Sequence, residues 1–262
     1  MSAQALASPG FAKHPDYRIG WELSPRRVRV MFGGETIADS TRVMLMREQA
    51  HLPVYYFPLE DLRQDLMVRT TNKTNCPFKG DASYWSIVAG GKTAENAIWS
   101  YLDPYRESAH IKGYAAFYWN RVDRWYEEDE EVFVHARDPY KRIDVVLSHR
   151  PVKVVLGGQT VAESKNARFL FETGLPTRYY LPRADVRMDL LAPSATSTRC
   201  PYKGIARYWS AAGQTDIAWS YEDPIPECPQ IKGLMCFFNE NVDAIHVDGK
   251  PTEKPKTKWS KT

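Results

Sequence analysis

The chain has only four cysteines, at 76, 200, 228 and 236 of its 262 residues. That is too few and too scattered for a disulfide framework, and none has a second cysteine two or three residues away, as in a zinc knuckle. Long apolar runs are also missing. None approaches the roughly 18 residues of a membrane-spanning helix. The opening stretch MSAQALASPGFAKHPDYRIG lacks a basic start followed by an apolar block, so no secretory signal is expected. An excess of one charge is missing too: 35 basic and 32 acidic residues are interspersed, for a net charge of +3. A nucleic-acid binder would instead concentrate its basic residues in a stripe. These absences lead us to expect a soluble cytoplasmic protein with no membrane or nucleic-acid partner. The one lysine-rich stretch, GKPTEKPKTKWSKT from Gly249, is proline-broken and poor in apolar residues, so 248–262 reads as a disordered tail.

What the chain does contain is a duplication. VRVMFGGETIADS from Val28 returns as VKVVLGGQTVAES from Val152, and VYYFPLEDLRQDLM from Val54 as TRYYLPRADVRMDLL from Thr177. CPFKGDASYWS returns as CPYKGIARYWS, AIWSYLDP as IAWSYEDP, and IKGYAAF as IKGLMCF. The offset is 200 − 76 = 124 through the cysteine block and 219 − 99 = 120 after it. The four-residue difference is expected in a variable hairpin turn at Gly90-Gly91 and Gly213. The reading is an N-terminal extension over 1–25, a first repeat over 26–126, a linker over 127–149, a second repeat over 150–247, and the tail. A monomer whose repeats pack about a pseudo-two-fold axis is expected.

The local pattern is mainly β. Val28 to Phe32, Gly33-Gly34 and Glu35 to Asp39 read as a hairpin, the glycines supplying the positive φ of a tight turn. Val54 to Phe57, Tyr84 to Val88, Ala97 to Tyr101 and Gly113 to Tyr118 are short β-branched or aromatic runs bounded by turn residues. DVRMDLL from Asp185 fits both a strand and a helical turn. The matched blocks, taken together, resemble the family called domain of unknown function 427, over roughly Arg26 to Trp125 and Arg150 to Ile245. The resemblance implies two tandem copies of a small β-tent-like domain of antiparallel sheets, an architecture shared with methionine sulfoxide reductase B and the cereblon ligand-binding domain. Fold alone does not give function.

Four kinds of candidate chemistry recur in both copies. Relatives of this architecture often carry structural zinc, but Cys76 and Cys200 have no close partner and His51 and His110 face Leu175 and Gln230. Neither a metal nor another cofactor is expected. Cys76 and Cys200 each precede a lysine by three residues, so a nucleophile with Lys79 or Lys203 nearby is one reading and a buried turn residue the other. Asp61, Arg63 and Asp65, matched by Asp185, Arg187 and Asp189, would share one strand face at period two, with Asp61 or Asp185 a candidate base. Glu48 and Glu172 also correspond.

Finally, Trp85 and Trp99 with Tyr101, and Trp209 and Trp219 with Tyr221, would be near cross-strand neighbours. They could form the aromatic walls of a pocket in each repeat. Lys79 and Lys203, then Arg63 and Arg187, would contact an anionic or carbonyl group of a small planar metabolite. The rival readings are an enzyme, a hydrolase or transferase, and a structural or protein-interaction module.

Overall fold

A computed structural model describes residues 6–261. The chain divides between Asp138 and Pro139 into two units, each mainly β and each with the same order of strands. The first holds β1 (Ile19–Leu23), β2 (Val28–Phe32), β3 (Glu35–Ser40), β4 (Met44–Glu48), β5 (Val54–Pro58), β6 (Met67–Cys76), β7 (Gly80–Ala89), β8 (Lys92–Tyr101), β9 (Tyr114–Phe117), β10 (Arg124–Glu127) and β11 (Glu130–Val132). The second holds β12 (Ile143–Ser148), β13 (Val152–Leu156), β14 (Gln159–Ser164), β15 (Ala167–Glu172), β16 (Arg178–Leu181), β17 (Ala192–Cys200), β18 (Gly204–Ala211), β19 (Gln214–Pro224), β20 (Met235–Phe237), β21 (Ala244–Val247) and β22 (Lys250–Pro251).

Each unit has a seven-stranded and a four-stranded antiparallel sheet. In the first unit the orders are β1-β4-β5-β9-β8-β7-β6 and β11-β10-β2-β3. The second repeats them as β12-β15-β16-β20-β19-β18-β17 and β14-β13-β21-β22. A core between the sheets takes alternate residues of the central strands, as the period of two requires. β2 shows this simply: Val28, Val30 and Phe32 are buried and the residues between them are half-buried. They meet Tyr55 and Phe57 of β5, Ile87 of β7 and Trp125 of β10 in one cluster.

The Gly33-Gly34 hairpin is present, with φ of +60° and +84°. Gly33 has a second reason to be glycine. A Cβ there would lie 2.3 Å from the Ala89 carbonyl oxygen, so this turn abuts the β7–β8 turn.

The four-residue difference between the copies lies elsewhere than expected. Both β7–β8 and β18–β19 close on two-residue turns, Gly90-Gly91 and Ala212-Gly213. The second hairpin instead has two fewer residues in each strand between the turn and a shared bulge at Asn96 and Asp216, both of positive φ. An even number removed from each strand leaves every side chain on its own face.

The expected boundaries also shift. β1 falls within 1–25, and β11 and β12 fall within the 127–149 linker. All are edge strands: IGWEL is nowhere fully buried, and IDVVLS is half-buried or exposed, so neither shows clean alternation. Nor is 248–261, the described part of the expected tail, loose. It adds β22 to the small sheet and then packs back through Thr257, Trp259 and Lys261. DVRMDLL is neither strand nor helix of any length but two single 3-10 turns, Arg183–Asp185 and Met188–Leu190. Among the described residues no helix is long and apolar enough to cross a membrane.

Candidate functional site

The register separates the two tryptophans that sequence spacing would pair. Tyr84 lies opposite Trp99 and Trp85 opposite Ile98, so Trp85 and Trp99 point to opposite faces of the sheet. The second repeat does the same, with Tyr208 opposite Trp219 and Trp209 opposite Ala218. Trp85 and Trp209 therefore pack on the inter-sheet core, with Arg69 and Arg183 over their rings at 5.9 and 5.3 Å. The expected pair of facing walls does not exist, because a one-residue error in register moves a side chain to the other face.

Trp99 and Tyr101 belong instead to a second apolar cluster, on the face of the seven-stranded sheet away from the four-stranded one. There Tyr56 of β5, Tyr84 of β7 and Tyr101 of β8 form a buried floor. Trp21, Trp99, Tyr114 and Tyr118 are half-buried above it. The rings make a continuous band across the sheet. Trp21 meets Tyr56 at 5.3 Å and Tyr114 at 5.2 Å edge to face, and Tyr118 lies 4.7 Å from Trp99. The Trp99 indole N–H donates to the Tyr56 hydroxyl at 3.2 Å. Burial pushes the Tyr56 and Tyr101 hydroxyls well above the ordinary phenol range, so both keep their protons.

At one end of this band a charged pair is sunk beside Cys76. The Lys79 ammonium donates to Glu48 Oε2 at 2.5 Å, with side chains only 7% and 13% exposed. Glu48 Oε1 accepts from the Tyr17 hydroxyl at 3.0 Å, and burial with that carboxylate pushes Tyr17 up to about 12. Tyr17 stacks on Phe78 of the CPFKG turn at 3.9 Å. The second repeat rebuilds the pair as Lys203 to Glu172 at 2.5 Å, with Lys141 in place of Tyr17 at 3.3 Å. Cys200, Tyr180, Trp219 and Tyr221 take the places of Cys76, Tyr56, Trp99 and Tyr101, and Trp219 donates to Tyr180 at 3.1 Å.

The two CPFKG-type turns thus hold their lysine as a buried counter-ion, not as an exposed rim contact. The turn of the first repeat is covered by a short helix, Pro9–Lys13, whose Ser8 and Gly10 bond the Pro77 carbonyl at 2.8 and 2.9 Å. A depression of about 560 Å³ beside this turn is lined by Lys13, His14, Pro15, Asp16, Tyr17, Gln49 and Phe78, outside the aromatic band.

The acidic candidates lie elsewhere. Asp61 sits in a 3-10 turn, accepts from Ser40 and Arg42 at 2.5 Å each, and shares no face with Arg63. Arg63 grips Asp65 through two bonds of 2.8 Å in solvent. Asp185 accepts from Ser164, and Arg187 grips Asp189 in the same way. Period-two reasoning fails here because the segment is not a strand. Among the described residues no group of three or more His, Cys, Asp or Glu could hold a metal ion.

Both repeats match the family model described as Domain of unknown function (DUF427), over residues 21–128 and 144–248. The chain belongs to the DUF427 family. No curated protein matches it. The two DUF427 segments begin within β1 and β12, which agrees with those strands being part of each unit.

Residues that sequence reasoning passed over complete the band: Tyr56 and Tyr180, Trp21, and Tyr118 with its counterpart Phe238. The recurring Tyr-Tyr of YYFP and YYLP was the available signal, since adjacent strand residues must point to opposite faces. Tyr55 goes inward, donating to buried Glu127 at 2.7 Å, and Tyr56 goes outward to Trp99.

Proposed function

We propose that the DUF427 unit binds a small planar ligand carrying a hydrogen-bond acceptor, such as a carbonyl, on this aromatic face. The observation that carries the reading is where the aromatics lie. An antiparallel sheet with one face on the core commonly turns a polar face to solvent. Here the opposite face carries half-buried Trp21, Trp99, Tyr114 and Tyr118, and apolar surface gathered in that way marks an interaction site. The hydroxyls of Tyr56 and Tyr101 supply protons beneath the rings. The buried Lys79–Glu48 pair fixes the end of the band, and Cys76 lies against it. Aromatic walls with a few placed polar groups suit a flat, weakly charged molecule.

The test is a thermal-shift screen with nucleobases, nucleotides, organic acids and carbonyl compounds. A ligand at a hundred times its Kd stabilises by about 2.7 kcal/mol. Trp99→Ala should abolish the shift, and Trp85→Ala, on the opposite face, should lower the midpoint but keep the ligand-induced rise. A ligand lost with Trp85→Ala and kept with Trp99→Ala would sink the reading.

A further inference from the structure

Residues 257–261 pack back onto the second repeat beside Arg178. Arg178 of β16 and Glu240 form a two-bond pair at 2.6 and 2.7 Å, with side chains 9% and 0% exposed. The guanidinium carbon lies 5.5 Å from the ring centre of Trp219, 5.9 Å from Phe238 and 5.6 Å from Trp259. Two walls of this aromatic box come from the sheet face. The third comes from the chain end.

The same short segment is held through its backbone as well as its side chains. Thr257 Oγ1 donates to Glu240 Oε1 at 2.7 Å, and Asn241 Nδ2 donates to the Trp259 carbonyl at 2.9 Å. The Lys261 amide donates to Asn241 Oδ1 at 2.9 Å, and its ammonium to the Thr215 carbonyl at 2.8 Å. No strand or α-helix runs through 253–261, and these contacts hold it against the second repeat. In the first repeat Val54, Asn120 and Arg121 stand where Arg178, Glu240 and Asn241 stand in the second. The charged reader is therefore particular to one copy.

We propose that the aromatic face of the second repeat is a peptide site, selective for a tryptophan two residues after a threonine in a lysine-rich segment, and that residues 257–261 are its tethered occupant. The site is built as a recognition site is built. A planar cation stacks on the incoming ring, the carboxylate that neutralises it accepts the threonine hydroxyl, and one asparagine reads an acceptor and a donor of the peptide backbone. It rests on this sheet face being a binding face, as in the reading above, but its ligand is of another class. The repeats then divide their work: an open face for a small molecule in the first, a self-occupied peptide face in the second.

The probe is a synthetic peptide of residues 254–262, KPKTKWSKT. The protein is compared at full length and ending at Glu253, which keeps β22 and the 2.7 Å bond from the Thr252 amide to the Ile245 carbonyl. A flexible tether presents its ligand at about millimolar effective concentration, so for a peptide of Kd near 0.1 mM the full-length chain should bind roughly tenfold more weakly than the shortened one. Calorimetry or fluorescence anisotropy reads this directly. A peptide with alanine for tryptophan should not bind, nor should the wild-type peptide bind the shortened chain carrying Arg178→Met and Glu240→Leu, which removes both buried charges together. Should that double variant not fold, the Trp219 indole N–H resonance serves instead. It should shift on shortening and return on adding the peptide. Equal binding to the two lengths, no binding to either, or an unmoved Trp219 signal overturns the proposal. Trp99→Ala should leave peptide binding untouched, which separates this test from that of the small-molecule site.

Discussion

Replacing Lys79 by methionine keeps most of the side chain's length and removes its charge. Glu48, with its side chain 13% exposed, would then keep only the Tyr17 hydroxyl at 3.0 Å. Removing one partner of a buried ion pair costs about 3–5 kcal/mol, because the remaining charge is desolvated without compensation. Slight exposure of Glu48 and the surviving hydroxyl place the expectation at the lower end, about 3 kcal/mol. The second repeat supplies an internal control. In Lys203→Met, Glu172 retains Lys141 at 3.3 Å, so the loss there should be about half as large. Replacing both partners, Lys79→Met with Glu48→Leu, should recover most of the first loss, since a buried pair can often be exchanged for well-packed apolar groups without net cost. Thermal unfolding followed by tryptophan fluorescence tests all three. For a unit of this size 3 kcal/mol corresponds to a midpoint roughly 10 °C lower. A Lys79→Met protein within about 0.5 kcal/mol of wild type, well inside the scatter of ordinary surface substitutions, would refute the argument. So would a double variant as unstable as the single one.

Trp85→Ala should destabilise the first unit by about 3 kcal/mol, the low end for a buried aromatic because Trp85 is half-exposed under Arg69; a denaturant melt checks it. Gly10→Ala puts a Cβ 2.7 Å from both the Phe78 ring and the Pro77 carbonyl oxygen, so residues 8–13 should leave the CPFKG turn. The readout is faster proteolysis at the N-terminus, and unchanged cleavage would count against the contact. Burial pushes the Cys228 thiol up to about 11 and Cys236 up to about 12. In the unfolded chain both ionise near their ordinary 9.0, so their contribution to stability is full below pH 9 and is lost as pH rises from there through 11 and 12. Cys228→Ser with Cys236→Ala, the residues of the first repeat, should make the alkaline fall in the second unit's midpoint shallower. An equally steep fall would contradict the assignment.

The duplication was legible because matched blocks at a near-constant offset are a long-range signal carried by many residues at once. The central strands of each unit were legible for a local reason: VRVMF and VYYFP alternate between a core and an outer face. Edge strands were not, since β1 and β12 bury little and β6, MVRTTNKTNC, is almost wholly exposed. The site was half legible. Tyr-Trp and Trp-Ser-Tyr pointed to the right hairpin, but assigning Trp85 and Trp99 to one face needed the register, and spacing from a turn is unreliable when a bulge at Asn96 inserts extra residues. The Lys79–Glu48 pair joins a turn to a strand end 31 positions away, and no local rule links them. Recurrence of both residues in the second copy was the only hint.

Comparing the copies separates what the fold needs from what each face does. The pairs Tyr56/Tyr180, Trp99/Trp219, Tyr101/Tyr221, Glu48/Glu172 and Lys79/Lys203 are kept, with the same indole-to-phenol and ammonium-to-carboxylate bonds. The ring around them is not kept. Trp21 becomes Val145, Tyr114 becomes Leu234, Tyr118 becomes Phe238, and Val54 becomes Arg178. A buried ion pair that served only stability could be replaced by apolar groups at little cost, so its presence in both copies beside a sheet face rich in aromatics fits a shared role in shaping a ligand's seat. The changes in the surrounding ring alter what could sit there. Flat, half-exposed rings remain in the first repeat, where Trp99 is half-buried, whereas a neutralised guanidinium and a tryptophan from the chain's own end cover the second, where Trp219 is only 7% exposed. One inherited floor thus carries two surfaces of different chemistry.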